Sequence, residues 1–422
     1  MFDRRPLTPA IAAASGPRDA SVSTTARPAA GSLGDVRRRQ WRVALLKAAI
    51  AYVASRFVVL VSGGLVAAAD AYRAIQNGET KPASAGTFVL RTLTSWDGLW
   101  YLSISRDGYP RSVIPHVSYF DPDARAAFFP LFPWLTRVVN AVLPGGDTAS
   151  ALLLNAVLGA VFVFLVGMIA KRVYDVRIAG RAMILICFFP GSFVLSFAYA
   201  EALLLTLAAA TLLALLHRRW VLAGVAAAFA TAARPNGVAL VLACLVAAIY
   251  ECRREGRAVV RPFIAVALAP LGFVAFQLYL GQRTGEALVW FRVQREAWEE
   301  GASFGWTAIT KTWHFTLHPF ASAVNTVTAL CVAATVGFLI VLWRAKLPPA
   351  LTAYCLGIIG LMLLPATVTA RPRFLLTAFP VLIAFPAVFP RKDDDWWALL
   401  LALNAAGLVA VTTLYGVWAA IP

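Results

Sequence analysis

From Val43 to the C-terminus the chain is a succession of apolar runs, each of roughly 17–25 residues and so about long enough to cross a bilayer core as a helix. Of its 422 residues 60% are hydrophobic and 14% charged, too little charge to cover a soluble protein of this size. The pattern predicts an all-α, polytopic transmembrane helical bundle. The net charge of +17 is carried by residues at the ends of apolar runs. That placement follows the positive-inside rule rather than a nucleic-acid-binding stripe, so no nucleic-acid partner is expected.

Residues 1–42 are rich in Ala, Pro, Ser and Thr, lack the apolar stretch of a signal peptide, and read as a disordered cytoplasmic tail. Residues 43–422 form the membrane domain. Cys187, Cys244, Cys252, Cys331 and Cys355 lie in or at the edge of apolar runs without CxxC spacing, so neither a disulfide framework nor a zinc site is expected. Placing the basic segments "DVRRRQWRVALLK", "KRVYDVRIAGR", "HRR", "ECRREGR", "WRAK" and "RKDDD" on one side gives about eleven spans, a cytoplasmic N-terminus and an outer C-terminus. The first span covers Val43–Ala69, and a long outer loop follows over 70–148. Within it the proline-broken segment Phe128–Leu143 reads as an interfacial helix. Breaks at "YAE" (Tyr199 to Glu201) and "ARPNG" (Ala233 to Gly237) divide the next two apolar stretches, and a second outer loop runs over 281–320. "SWDGLWY", "YAE", "ARPNG" and "TARPRF" then share the outer face, and polar residues beside broken helices are where membrane proteins build sites.

In "TLTSWDGLWYLSISRDGYP" (Thr92 to Pro110), Thr94 or Ser95 can cap a short helix that ends at Gly108. Trp100, Tyr101 and Ile104 then share the side of Asp97. A carboxylate desolvated by aromatics near lipid holds a proton more readily and suits a general base. Trp96, Trp100 and Tyr101 can stack on sugar rings. The alternative is structural: an acid near a helix N-terminus is favoured by the dipole or a capping box, and the aromatics form an interfacial belt.

Glu201, isolated in apolar chain, either caps a helix or, with Tyr199, contacts substrate. Arg234, followed by Pro235 and Asn236, couples a guanidinium to a fresh helix N-terminus, which suits a phosphate. Arg371 and Arg373 in "TARPRF" repeat that chemistry, against the alternative of snorkelling. Arg56, inside the first span, is costly unless paired. His314 and His318 have the i,i+4 spacing a metal site could use, but no third ligand is evident, and His314 reads better as a substrate contact. "DPD" (Asp121 to Asp123) is a weak motif. A core role for the two histidines stays open beside the substrate contact. With no Walker A loop and no GxGxxG opening a helix, no cofactor, metal or nucleotide is expected.

"SWDGLWYLSISRDGYP", "FFPLFPWLTR", "FFPGSFVLSFAYAEALLL" and "ARPNG", in this order, resemble the PIG-V-like family of GPI mannosyltransferase II relatives, in its actinobacterial form. The resemblance runs from about Arg56 to Phe379. It implies a GT-C glycosyltransferase fold and a polyprenyl-phosphate sugar donor, mannose by analogy. It also implies use of the donor on the outer face of the bacterial plasma membrane, with Asp97 as the base, while the GPI acceptor of the eukaryotic members does not carry over. The reaction expected on that basis is inverting transfer to an extracytoplasmic glycolipid, glycan or protein. Gly98 is a departure that can alter the pocket. A transporter or flippase of a lipid-linked sugar or phosphorylated solute is the rival reading; it requires gating on both faces, whereas the polar groups gather on one. A catalytically silent scaffold is a third.

Overall fold

The computed structural model describes residues 30–78, 85–298, 306–363, 372–389 and 394–417. In chain order the helices are α1 (Ala30–Gln76), α2 (Ala85–Leu93), α3 (Asp97–Asp107), α4 (Leu131–Val142), α5 (Gly146–Val173), α6 (Val176–Phe188), α7 (Glu201–Leu216), α8 (Trp220–Ala233) and α9 (Ala239–Glu255). They continue with α10 (Phe263–Leu268), α11 (Leu271–Thr284), α12 (Val289–Trp298), α13 (Trp306–Leu317), α14 (Ala323–Ala345), α15 (Pro349–Leu363), α16 (Pro372–Thr377), α17 (Pro380–Val388) and α18 (Asp394–Gly416). Short 3-10 turns occupy Pro122–Ala127, Pro190–Leu195 and Pro235–Val238. Every described element is helical, as expected of a polytopic membrane protein.

Among the described residues six helical segments are long and apolar enough to cross a membrane: Gly34–Arg73, Gly146–Val173, Pro235–Glu255, Phe263–Thr284, Ala323–Ala345 and Asp395–Gly416. Helices α7, α8 and α15 are apolar but shorter. The expectation of eleven spans counted these, α6 and the α16–α17 pair as full crossings, which length alone does not support. The 43-residue boundary of the tail also moves, because residues 30–42 are already the first turns of α1; residues 1–29 lie outside the described residues. The stretch 70–148, expected as one outer loop, contains α2, a helix the sequence pattern did not reveal, and the stretch 281–320 contains α12 and α13.

Helix breaks follow the prolines. Pro190, Pro235 and Pro372 each open a helical turn, where a missing N–H costs nothing and the fixed φ is pre-organised. At the C-terminus of α3, Gly108 takes φ 73° and its N–H donates to the Ile104 carbonyl at 3.0 Å. The start of α3 differs from expectation. Thr94 and Ser95 do not cap it; their hydroxyls turn back onto the Leu90 and Thr92 carbonyls, each at 2.8 Å. Trp96 sits there instead, in the left-handed region at φ 57°. Its indole N–H donates to the Tyr415 carbonyl at 3.1 Å, which ties the turn to the end of α18.

Two cores result. The larger joins α1, α5–α9 and α14–α18. The smaller gathers α3, α4, α11 and α12 around Phe129, Phe132 and Phe276. Helix α4, at 12 residues, rises only ~18 Å, and it carries exposed Trp134, Val138 and Val142 along one stripe. Arg56 of α1 is the pin of the larger core. Its guanidinium donates to the Ser192 carbonyl at 2.6 Å, the Cys187 carbonyl at 3.2 Å, and the Ser192 and Ser196 hydroxyls, each at 3.0 Å. It thereby satisfies the carbonyls that the end of α6 leaves open. Replacing Arg56 with Leu should lower stability by at least ~2 kcal/mol, the scale of charged hydrogen bonds lost from buried carbonyls. Thermal unfolding of the purified protein in detergent reads this, and an unchanged midpoint would show that the pin is dispensable.

Candidate functional site: a carboxylate–guanidinium quartet

Four helix starts and ends converge on one point between the two cores. Asp97 opens α3, Glu201 opens α7, Arg234 follows the last residue of α8, and Arg373 is the second residue of α16. Arg373 Nη1 lies 2.6 Å from Asp97 Oδ2 and 3.2 Å from Glu201 Oε1, so one guanidinium nitrogen bridges both acids. Arg234 Nη1 lies 2.7 Å from Glu201 Oε2 and 3.6 Å from Asp97 Oδ2. The 2.7 Å contact is an ion pair without the alignment of a hydrogen bond. Two negative and two positive groups thus neutralise one another. That balance makes their burial tolerable, because an unpaired charge away from water is costly.

The four groups are not equivalent. The Asp97 side chain is 16% exposed and Glu201 only 4%. Asp97, Arg234 and Arg373 line a cavity of ≈ 130 Å³ together with Tyr101 and Asn236; Glu201 is absent from its lining. Glu201 therefore anchors the two arginines from behind, while Asp97 faces the space. The cavity is walled further by Phe128, Gln294, Trp298 and Phe374.

Each charged residue is held by a local device. Asn155 of α5 donates its amide to the Phe197 and Tyr199 carbonyls, fixing the irregular segment that delivers Glu201 to the N-terminus of α7. The Ala198 N–H donates to the Leu93 carbonyl at 2.9 Å, joining that segment to the end of α2. The Arg373 guanidinium carbon lies 5.8 Å from the Tyr199 ring centre and 5.1 Å from that of Phe374, within cation–π range of both. Gly191 makes this possible: a Cβ there would meet the Pro372 carbonyl oxygen at 2.1 Å. Beside Gly98, by contrast, a Cβ would find only ordinary contacts with Ala198 and Tyr199.

Helix α12 closes the cavity from the smaller core. Arg292 donates to both oxygens of Glu286 at 2.8 and 2.7 Å, to Glu296 at 2.9 Å, and to the Val113 and Ile114 carbonyls at 3.2 and 3.1 Å. These hydrogen bonds hold the Glu286 carboxyl below the usual carboxylate range. Trp298, at the end of α12, meets Trp100, Tyr119 and Phe128 at ring separations of 6.2, 5.6 and 5.5 Å.

Of the residues singled out from sequence, Asp97, Tyr101, Arg234, Asn236 and Arg373 line the cavity, and Glu201 and Tyr199 stand directly behind it. Trp100 backs the aromatic wall without lining the space. Trp96 is directed to Tyr415 instead. His314 lies on exposed α13 with its ring 5.1 Å from that of His318 and does not line the cavity. Its reading as a substrate contact has no support in this placement, since α13 packs on α14 rather than over the quartet. Arg371 lies outside the described residues. Among the described residues no three His, Cys, Asp or Glu side chains gather as a metal-ligand set. Asn155, Gln294 and Trp298 carry no signal in the sequence, because a polar or aromatic residue on a helix announces no partner on a distant segment.

Residues 125–279 match the family described as dolichyl-phosphate-mannose-protein mannosyltransferase. That stretch includes Glu201 and Arg234. The chain is also similar to several solved structures. ArnT from Cupriavidus metallidurans bound to undecaprenyl phosphate has 17% identity and a TM-score of 0.47, over 74% of this chain and 63% of that one. The Archaeoglobus fulgidus oligosaccharyltransferase tethered with an acceptor peptide has 14% identity and a TM-score of 0.41, over 87% and 56%. The same organism's AglB in complex with an inhibitory peptide and a dolichol-phosphate has 12% identity and a TM-score of 0.40, over 87% and 56%. The chain thus spans between 56% and 63% of the length of these structures. No curated protein gives a significant sequence match.

The packing at Gly191 and Gly98 makes a paired prediction. Gly191→Ala should destabilise the protein by about 1–3 kcal/mol, as overpacking does, because its neighbour is backbone and cannot rotate away. Gly98→Ala should leave the melting temperature unchanged. Equal melting of the two variants would contradict the tight approach of α16 to the Pro190–Leu195 turn.

Proposed function

We propose that this chain is a membrane glycosyltransferase that takes a sugar from a polyprenyl-phosphate donor and transfers it with inversion to an acceptor hydroxyl. The observation that carries the reading is that one carboxylate and two guanidiniums, Asp97, Arg234 and Arg373, face a single small cavity. A base and a paired cation site are what transfer from a sugar phosphate requires. The match of residues 125–279 to a mannosyltransferase family and the ordered PIG-V-like motifs support mannose as the sugar. The rule of short basic loops supports an extracytoplasmic site, with an extracytoplasmic glycolipid, glycan or protein as acceptor.

In the proposed reaction the donor phosphate competes for the guanidiniums. Arg373 now grips Asp97, and phosphate recognised by Arg373 and Arg234 loosens that grip. An Asp97 oxygen is then available to the acceptor. Asp97 accepts the acceptor's hydroxyl proton, the hydroxyl oxygen bonds to the anomeric carbon, and the bond from that carbon to the phosphate oxygen breaks. The electron pair leaves with the lipid phosphate, whose charge the two arginines offset. Glu201, behind them, keeps both guanidiniums aimed at the cavity throughout.

Membranes containing the protein, supplied with radiolabelled polyprenyl-phosphate mannose, test the reading. Asp97→Asn should lower turnover ~10²–10⁴-fold, the contribution of a general base, with donor binding retained. Near-normal transfer by that variant would remove Asp97 from the mechanism and leave Glu201 as the next candidate. In the same assay Arg234→Ala and Arg373→Ala should each weaken donor use by about 1.5–3 kcal/mol, the scale of a charged hydrogen bond. Unchanged donor dependence in both would mean that these arginines serve packing alone.

A further inference from the structure

At the far end of the bundle from the quartet lies a second charged concavity that the transfer reaction does not use. It is a cavity of ≈ 700 Å³ between the first turns of α1, α6 and α18. Its position follows from α18. Tyr415, near the C-terminus of that helix, accepts the Trp96 indole bond beside Asp97. Trp397 lines this cavity five turns earlier, a rise of ~27 Å. That distance is close to the ~30 Å thickness of a hydrocarbon core, so the two cavities stand at opposite membrane faces.

Four basic residues line it: Arg39 and Lys47 from α1, and Arg177 and the already engaged Arg181 from α6; no carboxylate is among its lining residues. The nearby Asp175 is engaged at the N-terminus of α6, where its Oδ1 accepts from the Ile178 N–H at 2.8 Å. The Arg181 guanidinium carbon lies 5.1 Å from the Trp397 ring centre, so an aromatic rests against one side of the charge. Apart from Gln40, the remaining wall is aliphatic, with Val36, Val43 and Ile184 among its largest side chains. Just outside it α1 exposes Leu46, 62% accessible, and Ile50, 61% accessible. Cations above an aliphatic wall at the end of a membrane helix match a molecule with a phosphate head and hydrocarbon chains. A free phosphate ion has no use for the aliphatic half.

We propose that this cavity binds the headgroup of an anionic phospholipid, with its acyl chains lying against α1 and α6. The site is independent of the glycosyl-transfer reading, since it lies at the opposite face and shares no residue with the quartet.

The test uses the full-length protein purified in detergent micelles doped with equal phosphatidylglycerol and phosphatidylcholine, with retained lipid counted by native mass spectrometry. Phosphatidylglycerol should be retained in preference. The double variant Arg39→Gln/Arg177→Gln should lower its affinity about 25-fold, about fivefold per charge. Lys47→Gln alone should give a single step of that size. All three side chains are exposed, so the fold has no need of them. A control double variant, Arg37→Gln/Arg38→Gln, removes the same charge from α1 outside the cavity and should leave retention unchanged. Equal retention of the two lipids, equal loss in the two double variants, or displacement of the lipid by inorganic phosphate would each overturn the proposal.

Discussion

One guanidinium nitrogen holds the centre of this molecule together. Arg373 Nη1 touches carboxylates from two helices that are a hundred residues apart in sequence, and Arg234 adds a second cation to the same pair. Buried charge of this kind is stable only while the count balances. Removing any member leaves its partners uncompensated in a water-poor place, so the four side chains behave as one unit. The positions of α3, α7, α8 and α16 are therefore mutually dependent, although these helices belong to two separate hydrophobic cores.

The backbone around the quartet is irregular for the same reason. A continuous helix turns its polar groups inward and offers side chains from its flank. A helix that starts or stops at the site can bring a charged side chain to it end-on, and irregular backbone at membrane depth is tolerated where it is enclosed by protein. Several of the breaks are stabilised by a polar side chain from elsewhere. Arg56 covers the carbonyls after α6, Asn155 those before α7, and Trp96 binds the end of α18. Arg137 does the same at the C-terminus of α3, donating to the Ser105 carbonyl at 2.8 Å and the Ile104 carbonyl at 3.3 Å. These residues are polar side chains committed to backbone, which is how a largely apolar chain keeps open turns inside a packed bundle.

The division of labour between the two acids arises from burial. Glu201 is enclosed and meets both arginines, so it has a fixed task. Asp97 meets them from the cavity side, where an incoming anion can compete for the same donors. In the proposed transfer the resting ion pair is thus also the latch. The aromatic wall of Phe128 and Trp298, backed by Trp100, puts low-dielectric surface beside the charges, which strengthens the electrostatics there.

The class of structure and several of the break points are legible in the amino acids alone. Apolar runs near bilayer length leave little but a helical bundle, and prolines at 235 and 372 mark where helices start because proline cannot continue one; the turn at Pro190 falls inside a run that the apolar pattern carries on to Tyr199. Asp97, Glu201, Arg234 and Arg373 were legible as candidates because charge is rare in such a chain and is costly to bury. Their assembly was not legible. The sequence reading had Asp97 as a solitary base and the arginines as a phosphate site; that the same arginines grip Asp97 depends on distances across four helices. Nor does composition disclose α2 or the continuous α1, since short polar stretches read as loop. His314 and Trp96 had suggestive residue types but face elsewhere, and Asn155 and Trp298 had ordinary types but face the site or its supports. Residue chemistry is carried locally by the chain; which side chains meet is decided by packing between segments far apart in sequence, and only the tertiary structure contains that information.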